Sequence, residues 1–310
     1  MYTRTLITFL FSLLAVATSA MSTVDSLLNV LDAEVAHSQE YIVRRQAHID
    51  SLCAIRPMTP ALRLLIAREY QHFQADSSRA WYLTLDNAPE PIRTDAYIGF
   101  VSLVASTGHY SNAIALLAKP TNRSISSVEG YKMAWLLFSD AAANAQVPIF
   151  QEEAKINAQL YYDSMMVALE AAKDSSEEYA LWYASYRAQE KNDWEEAIRN
   201  NAALLNRVTP ADHLYAILAY GQAMLYEQAG NKEKRLEWLV RSAITDVRCG
   251  ITDNGSSWMV AQDCFDAGDL QRAYRLSDYS LTNATFFNAP TRFIQTFTPG
   301  HLIASRYEHE

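Results

Sequence analysis

Apolar residues return every three or four positions along this chain, and the strict alternation of a β-strand is hard to find. Val24, Leu28, Leu31, Val35, Ile42, Ile49 and Leu52 keep the helical rhythm, with Ser38 and Arg45 interrupting it. That pattern predicts one long amphipathic helix over 22–54, stopped near Pro57. Thr59-Pro60 and Thr209-Pro210 each offer a capping hydroxyl followed by proline at a first helical position, and Asp212 can complete the second cap. Asp76-Ser77-Ser78 and the run 174–178 (DSSEE) read as further helix starts. Breaks fall at APEPIRT (88–94), KPTNRS (119–124), QVP (146–148) and NAPTR (288–292). The segments between them have the ordinary length of packed helices.

One short phrase recurs: GHYSNAI at 108–114, KNDWEEAI at 191–198, GNKEKRL at 230–236 and GDLQRAY at 268–274. The equivalent residues Ile198, Leu236 and Tyr274 are spaced 236 − 198 = 38 and 274 − 236 = 38. Ile114 lies 198 − 114 = 84 positions before Ile198, room for two steps of similar size. The implied unit is a helix, a tight turn and a second helix, which cannot bury its apolar face alone and must stack. Glycine or asparagine in the turn suits a left-handed residue just past the first helix. Ala113, Ala197 and Ala273 then let paired helices approach closely, whereas Arg235 breaks that pattern in the third unit.

Composition narrows the class. Half of the 310 residues are apolar, so a folded chain is expected. The formal charge of −9, from 35 acidic against 26 basic residues, gives no basic stripe and argues against direct nucleic-acid binding. The opening MYTRTLITFLFSLLAVATSA has a basic residue, an apolar run and a small-residue end, the order of a secretory signal over 1–20. Its apolar run, Leu6 to Ala17, is shorter than the roughly 20 residues that span a bilayer. Met21 stands where a lipid-anchored chain would carry cysteine. A periplasmic or otherwise extracytoplasmic domain over 21–310 is therefore expected. The three cysteines, at 53, 249 and 264, do not make a disulfide framework and read as single thiols.

Candidate chemistry is sparse. There is no P-loop, GxGxxG, HExxH or GxSxG signature. The histidines at 37, 48, 72, 109, 213, 301 and 309 are scattered, and the terminal Glu308-His309-Glu310 reads as a frayed tail. No catalytic residue, metal site or cofactor is assigned, and the chain is expected not to be an enzyme.

The recurring phrases resemble the tetratricopeptide repeat, although the period exceeds the family's usual length and the first-helix positions are poorly kept. The resemblance implies an all-α, tetratricopeptide-like solenoid of helical hairpins, here preceded by the long N-terminal helix. In such stacks the first helix of each hairpin lines a concave groove. Aligning on Ala197, Arg235 and Ala273 places Tyr179, Trp182 and Tyr186, then Tyr220, Met224 and Glu227, then Trp258 and Phe265 toward that groove. Aromatic faces of this kind suit a protein, peptide or glycan ligand.

A closer resemblance is carried by LDAEVAHSQEYIVRRQAHIDSL at 31–52, LIAREYQHFQADSSRAWYL at 65–83, GHYSNAIALL at 108–117 and the long run 237–289. These stretches are similar to the extracytoplasmic part of an uncharacterised family of Bacteroidetes regulators. In that family a signal peptide and helical repeats precede a membrane helix, a coiled coil and a cytoplasmic DNA-binding end. This sequence stops at HLIASRYEHE, about where that membrane helix is expected, so only the sensing or scaffolding role carries over. Three readings follow: a sensor or protein-binding scaffold of a signalling system, a glycan-capturing surface protein, or an enzyme whose site would show as a compact cluster of perturbed acids or histidines in the groove.

Overall fold

The computed structural model of the chain describes residues 22–118, 125–253, 255–288, 300 and 303–306. The signal segment, all of KPTNRS, all of NAPTR after Asn288, and the 308–310 tail lie outside these described residues. Every element is a helix: α1 Thr23–Ala36, α2 Ser38–Ala54, α3 Pro60–Gln71, α4 Ala75–Leu83, α5 Ile92–Ser106, α6 Tyr110–Ala118 and α7 Val128–Asn144. Then come α8 Pro148–Ala172, α9 Glu177–Glu190, α10 Trp194–Leu205, α11 His213–Gln228, α12 Lys232–Arg248, α13 Ser256–Asp266 and α14 Leu270–Phe287. No strand occurs among the described residues. No helix among them is long and apolar enough to cross a membrane.

The recurring phrase is the turn of the hairpins α5–α6, α9–α10, α11–α12 and α13–α14. Each places one residue in the left-handed region: Gly108 (φ 84°), Asn192 (φ 57°), Gly230 (φ 74°) and Gly268 (φ 84°). That conformation lets the next amide reach back to a carbonyl of the finished helix, as Asp269 N–H does to Cys264 O at 2.9 Å. The same Asp269 then caps α14 through its side chain, accepting from Arg272 N–H at 3.2 Å, and Asp193 and Asn231 do likewise for α10 and α12. Ala113, Ala197 and Ala273 are fully buried. Arg235, at the corresponding place, reaches from α12 to Asp263 of α13 at 2.6 Å and to Glu227 of its own hairpin at 3.3 Å. The 84 residues between Ile114 and Ile198 hold one intervening hairpin, α7–α8, enlarged by the 25-residue α8.

Two expected helices are corrected. The segment 22–54 is two helices, interrupted at His37 (φ −102°, ψ 7°), whose Nδ1 lies 2.8 Å from Ala33 O. The break has a packing reason. Leu28 and Leu31 of α1 pack with Val240, Ala243, Ile244 and Val247 of α12, whereas Ile49 of α2 joins Ile66, Tyr70 and Phe73 around α3. One straight rod could not reach both. The helix expected to start at Thr209-Pro210 begins instead at His213, because 209–212 close a turn of their own, with Asp212 N–H on Thr209 O at 3.0 Å.

The hairpins α3–α4 to α13–α14 stack in chain order, and the stack closes on itself. Phe287, at the end of α14, is fully buried among Leu64, Ala67, Tyr82, Ala96 and Leu103 of α3, α4 and α5. Phe286 lies 5.4 Å from Phe73. Arg45 of α2 donates to Cys249 O at 3.0 Å and to Glu69 O at 2.6 Å, stitching the end of α12 to α3. Glu34–Arg248 at 2.7 Å and Asp32–Arg272 at 2.9 Å tie α1 to α12 and α14. The N-terminal helices therefore do not extend the solenoid; they fasten its last hairpins to its first.

Candidate functional site

A cavity of about 580 Å³ lies where the closed stack brings its early and late hairpins together. The first helices of four hairpins contribute Ala105 and Ser106 of α5, Asp140 and Asn144 of α7, Ala216, Ile217 and Tyr220 of α11, and Ser256, Trp258 and Met259 of α13. The second helices add Tyr110 of α6 and Ser242 and Asp246 of α12. His72, which ends α3, and Asp253, on the loop after α12, complete the seam. Small side chains at 105, 106, 216, 242 and 256 leave the room that larger residues would fill.

Four titratable groups converge in one wall. The imidazoles of His72 and His213 are 4.7 Å apart between ring centroids. His72 Nδ1 lies 3.6 Å from Asp253 Oδ2, and His213 Nε2 lies 3.6 Å from Asp246 Oδ1, both beyond hydrogen-bond distance. Burial raises the Asp246 carboxyl well above the usual carboxylate range, and the neighbouring Asp253 raises it further. Burial pushes His213 down to about 3, with His72 and Arg45 adding to the effect. Beside them Ser242 Oγ donates to Ala216 O at 2.9 Å, which leaves the Ser256 hydroxyl to donate to Ser242 Oγ at 2.7 Å. No group of three histidine, cysteine, aspartate or glutamate side chains among the described residues is arranged to hold a metal ion.

Of the residues placed in a groove by the sequence, Tyr220 and Trp258 line this cavity. Tyr179, Trp182 and Tyr186 lie elsewhere, in an aromatic cluster between α7, α8 and α9 with Met165, Met166 and Leu169. Tyr186 is buried there, 5.7 Å from Trp135 and 5.8 Å from Trp182. Lys132 Nζ sits 3.8 Å over the Trp182 ring, so that face is already covered; burial lowers Lys132 to about 8. Tyr179 donates to Glu129 at 2.6 Å. Met224 and Phe265 pack against the α12–α14 core. Glu227 pairs with Arg235 rather than facing the cavity. The structure gives these six packing and pairing contacts outside this cavity. Sequence reading missed His72, His213, Asp246 and Asp253. Nothing local joins His72 to His213, 213 − 72 = 141 positions away; only ring closure does.

Stacked hairpins with left-handed turns, buried alanines and cavity-lining first helices define a tetratricopeptide-type helical-repeat domain. The chain belongs to the family described as the SusR N-terminal TPR domain, whose family model matches residues 35–298. No curated protein and no solved structure matches the chain.

Proposed function

We propose that this chain is the extracytoplasmic sensing domain of a SusR-type regulator, and that it senses a small polar molecule held in the central cavity. The observation that carries this is the cavity's position: an occupant touches α3 and α5 on one side and α11, α12 and α13 on the other. Its volume falls in the roughly 300–1,000 Å³ range of small-molecule sites. Binding there can favour the closed stack, which is how a ligand shifts a conformational equilibrium. The secretory pattern of the first twenty residues supports a place outside the cytoplasm. The converged acids and histidines are what an enzyme site would also bring. Binding is the better account, because the two serine hydroxyls bond to each other and to Ala216 O rather than to a base.

The test is thermal unfolding of the full chain against a library of small polar compounds, beside a Ser106→Trp variant that fills the cavity. A ligand of this site raises the unfolding temperature of the native chain and not of the variant. Equal shifts in both would place the ligand elsewhere and refute the reading.

A second reading, protein docking, is favoured by α8. Ile149, Ile156, Leu160 and Val167 are 70%, 62%, 58% and 69% exposed. Their spacing puts them on one helix face, an apolar stripe of the kind that partner helices cover. A partner captured by the immobilised chain should be lost with Ile156→Glu and kept with Ser106→Trp; capture unaffected by Ile156→Glu removes this reading.

A further inference from the structure

The exposed stripe of α8 reads the same in both directions. Ala158 is buried near the middle of the helix, where with Ala154 it packs against Phe138 and Ala142 of α7. Ile149 and Val167 lie 158 − 149 = 9 and 167 − 158 = 9 positions from it. Nine residues are about two and a half turns, so both stand on the face directly opposite. Ile156 and Leu160 stand two positions either side of Ala158, close to the same opposite face, and Glu153 and Asp163 stand five either side. All six of these side chains are exposed. From either end the order along the stripe is apolar, acid, apolar, apolar, acid, apolar.

Charge and symmetry decide what such a stripe fits. Helices that lie on a lipid surface carry lysine and arginine on their polar face. Here α8 has Lys155 alone against Glu152, Glu153, Asp163 and Glu170, a poor match to a membrane. An unrelated protein would need the apolar residues, but nothing would require them to be mirrored about one point. A second copy of the chain does require it, because in a two-fold interface residue i meets j while j meets i. With two α8 helices laid antiparallel and the axis passing at Ala158, Ile149 meets Val167 of the second copy and Ile156 meets its Leu160. The stripe spans 167 − 149 = 18 residues, about 27 Å at the helical rise. A contact of one helix from each side belongs to the small interfaces, below about 1,200 Å², that hold transient complexes.

We propose that α8 is a self-association surface on which two copies of the chain pair antiparallel about Ala158. This rests on the protein-docking reading of α8 above and names the partner. In that arrangement Glu153 of each copy faces Asp163 of the other, and these two like-charge pairs weaken the dimer and keep it reversible. Parallel pairing would instead set Asp163 against Asp163 and Glu153 against Glu153.

The test is sedimentation velocity of the full chain across the micromolar range, with variants at these exposed positions and circular dichroism as the check on folding. The native chain should show a reversible monomer–dimer equilibrium, and Ile156→Glu should leave monomer only. Asp163→Lys sets a lysine against Glu153 of the other copy twice in each dimer, and should tighten association roughly tenfold. Adding Glu153→Lys restores two like-charge pairs and should cancel that gain. A native chain that stays monomeric overturns the assignment, and the docking reading then stands or falls on its own capture experiment. A dimer that survives Ile156→Glu, or that Asp163→Lys fails to tighten, overturns it too.

Discussion

In the unfolded chain His213 takes up a proton near the ordinary 6.5, but in the cavity wall burial holds that step down to about 3. Between these two values the unfolded state binds more protons, so this group removes stability as the pH falls. Asp246 acts the other way. Its carboxyl is raised by burial and by Asp253, so the folded state binds its proton first, and stability falls as the pH rises out of the acid range. His213→Gln separates the two. Its stability relative to the native chain should improve as the pH is lowered from 6.5, by at most about 1.4 kcal/mol for each pH unit. Denaturant unfolding at a series of pH values measures this, and a difference independent of pH would show that His213 is not held neutral. At the same scale, the turn residues were legible in the sequence. Gly108, Asn192, Gly230 and Gly268 are types that tolerate a left-handed backbone, and Asp193, Asn231 and Asp269 are types that cap. Such chemistry is local, and a single sequence carries it. The cavity acids and histidines carry no local mark, because what makes them a site is distance across the ring.

At the scale of elements, helical spacing gives each helix an apolar face but does not say what covers it. Tyr179, Trp182 and Tyr186 satisfy the spacing of a groove face equally well as that of a core face, and α7 and α8 cover them. Conversely, α8 carries apolar residues on a face that no described element covers, because a 25-residue helix outruns its partners. The single rod expected over 22–54 fails for a related reason: the rhythm continues through His37, but the surfaces that α1 and α2 cover point in different directions. Arg45, which interrupts that rhythm, is one of the fasteners. It is 14% exposed, donates to carbonyls at the ends of both α3 and α12, and lies 5.7 Å over the Phe73 ring. Arg45→Ala should cost about 2–4 kcal/mol, since it strands Glu69 and two carbonyls and removes the packing on Phe73. Chemical denaturation reads this directly. A loss below about 0.5 kcal/mol, the size of an ordinary surface substitution, would mean that the contact is incidental.

For the whole molecule, repeat stacks are ordinarily open and held by neighbour contacts alone, so that distant units open independently. Here Phe287, Arg45, and the Glu34–Arg248 and Asp32–Arg272 pairs join the last hairpins to the first. Closure couples the early and late hairpins and creates the cavity. Under the proposed sensing role, occupancy would be reported as the rigidity of the seam. Native-state hydrogen exchange on the full chain tests that closure most directly. The amides of Leu28 and Leu31 in α1 should be protected as strongly as those of Val240 and Ile244 in α12, and Arg45→Ala should lower both sets together. Exchange of α1 near the rate of an unstructured peptide, with α12 still protected, would contradict a closed ring.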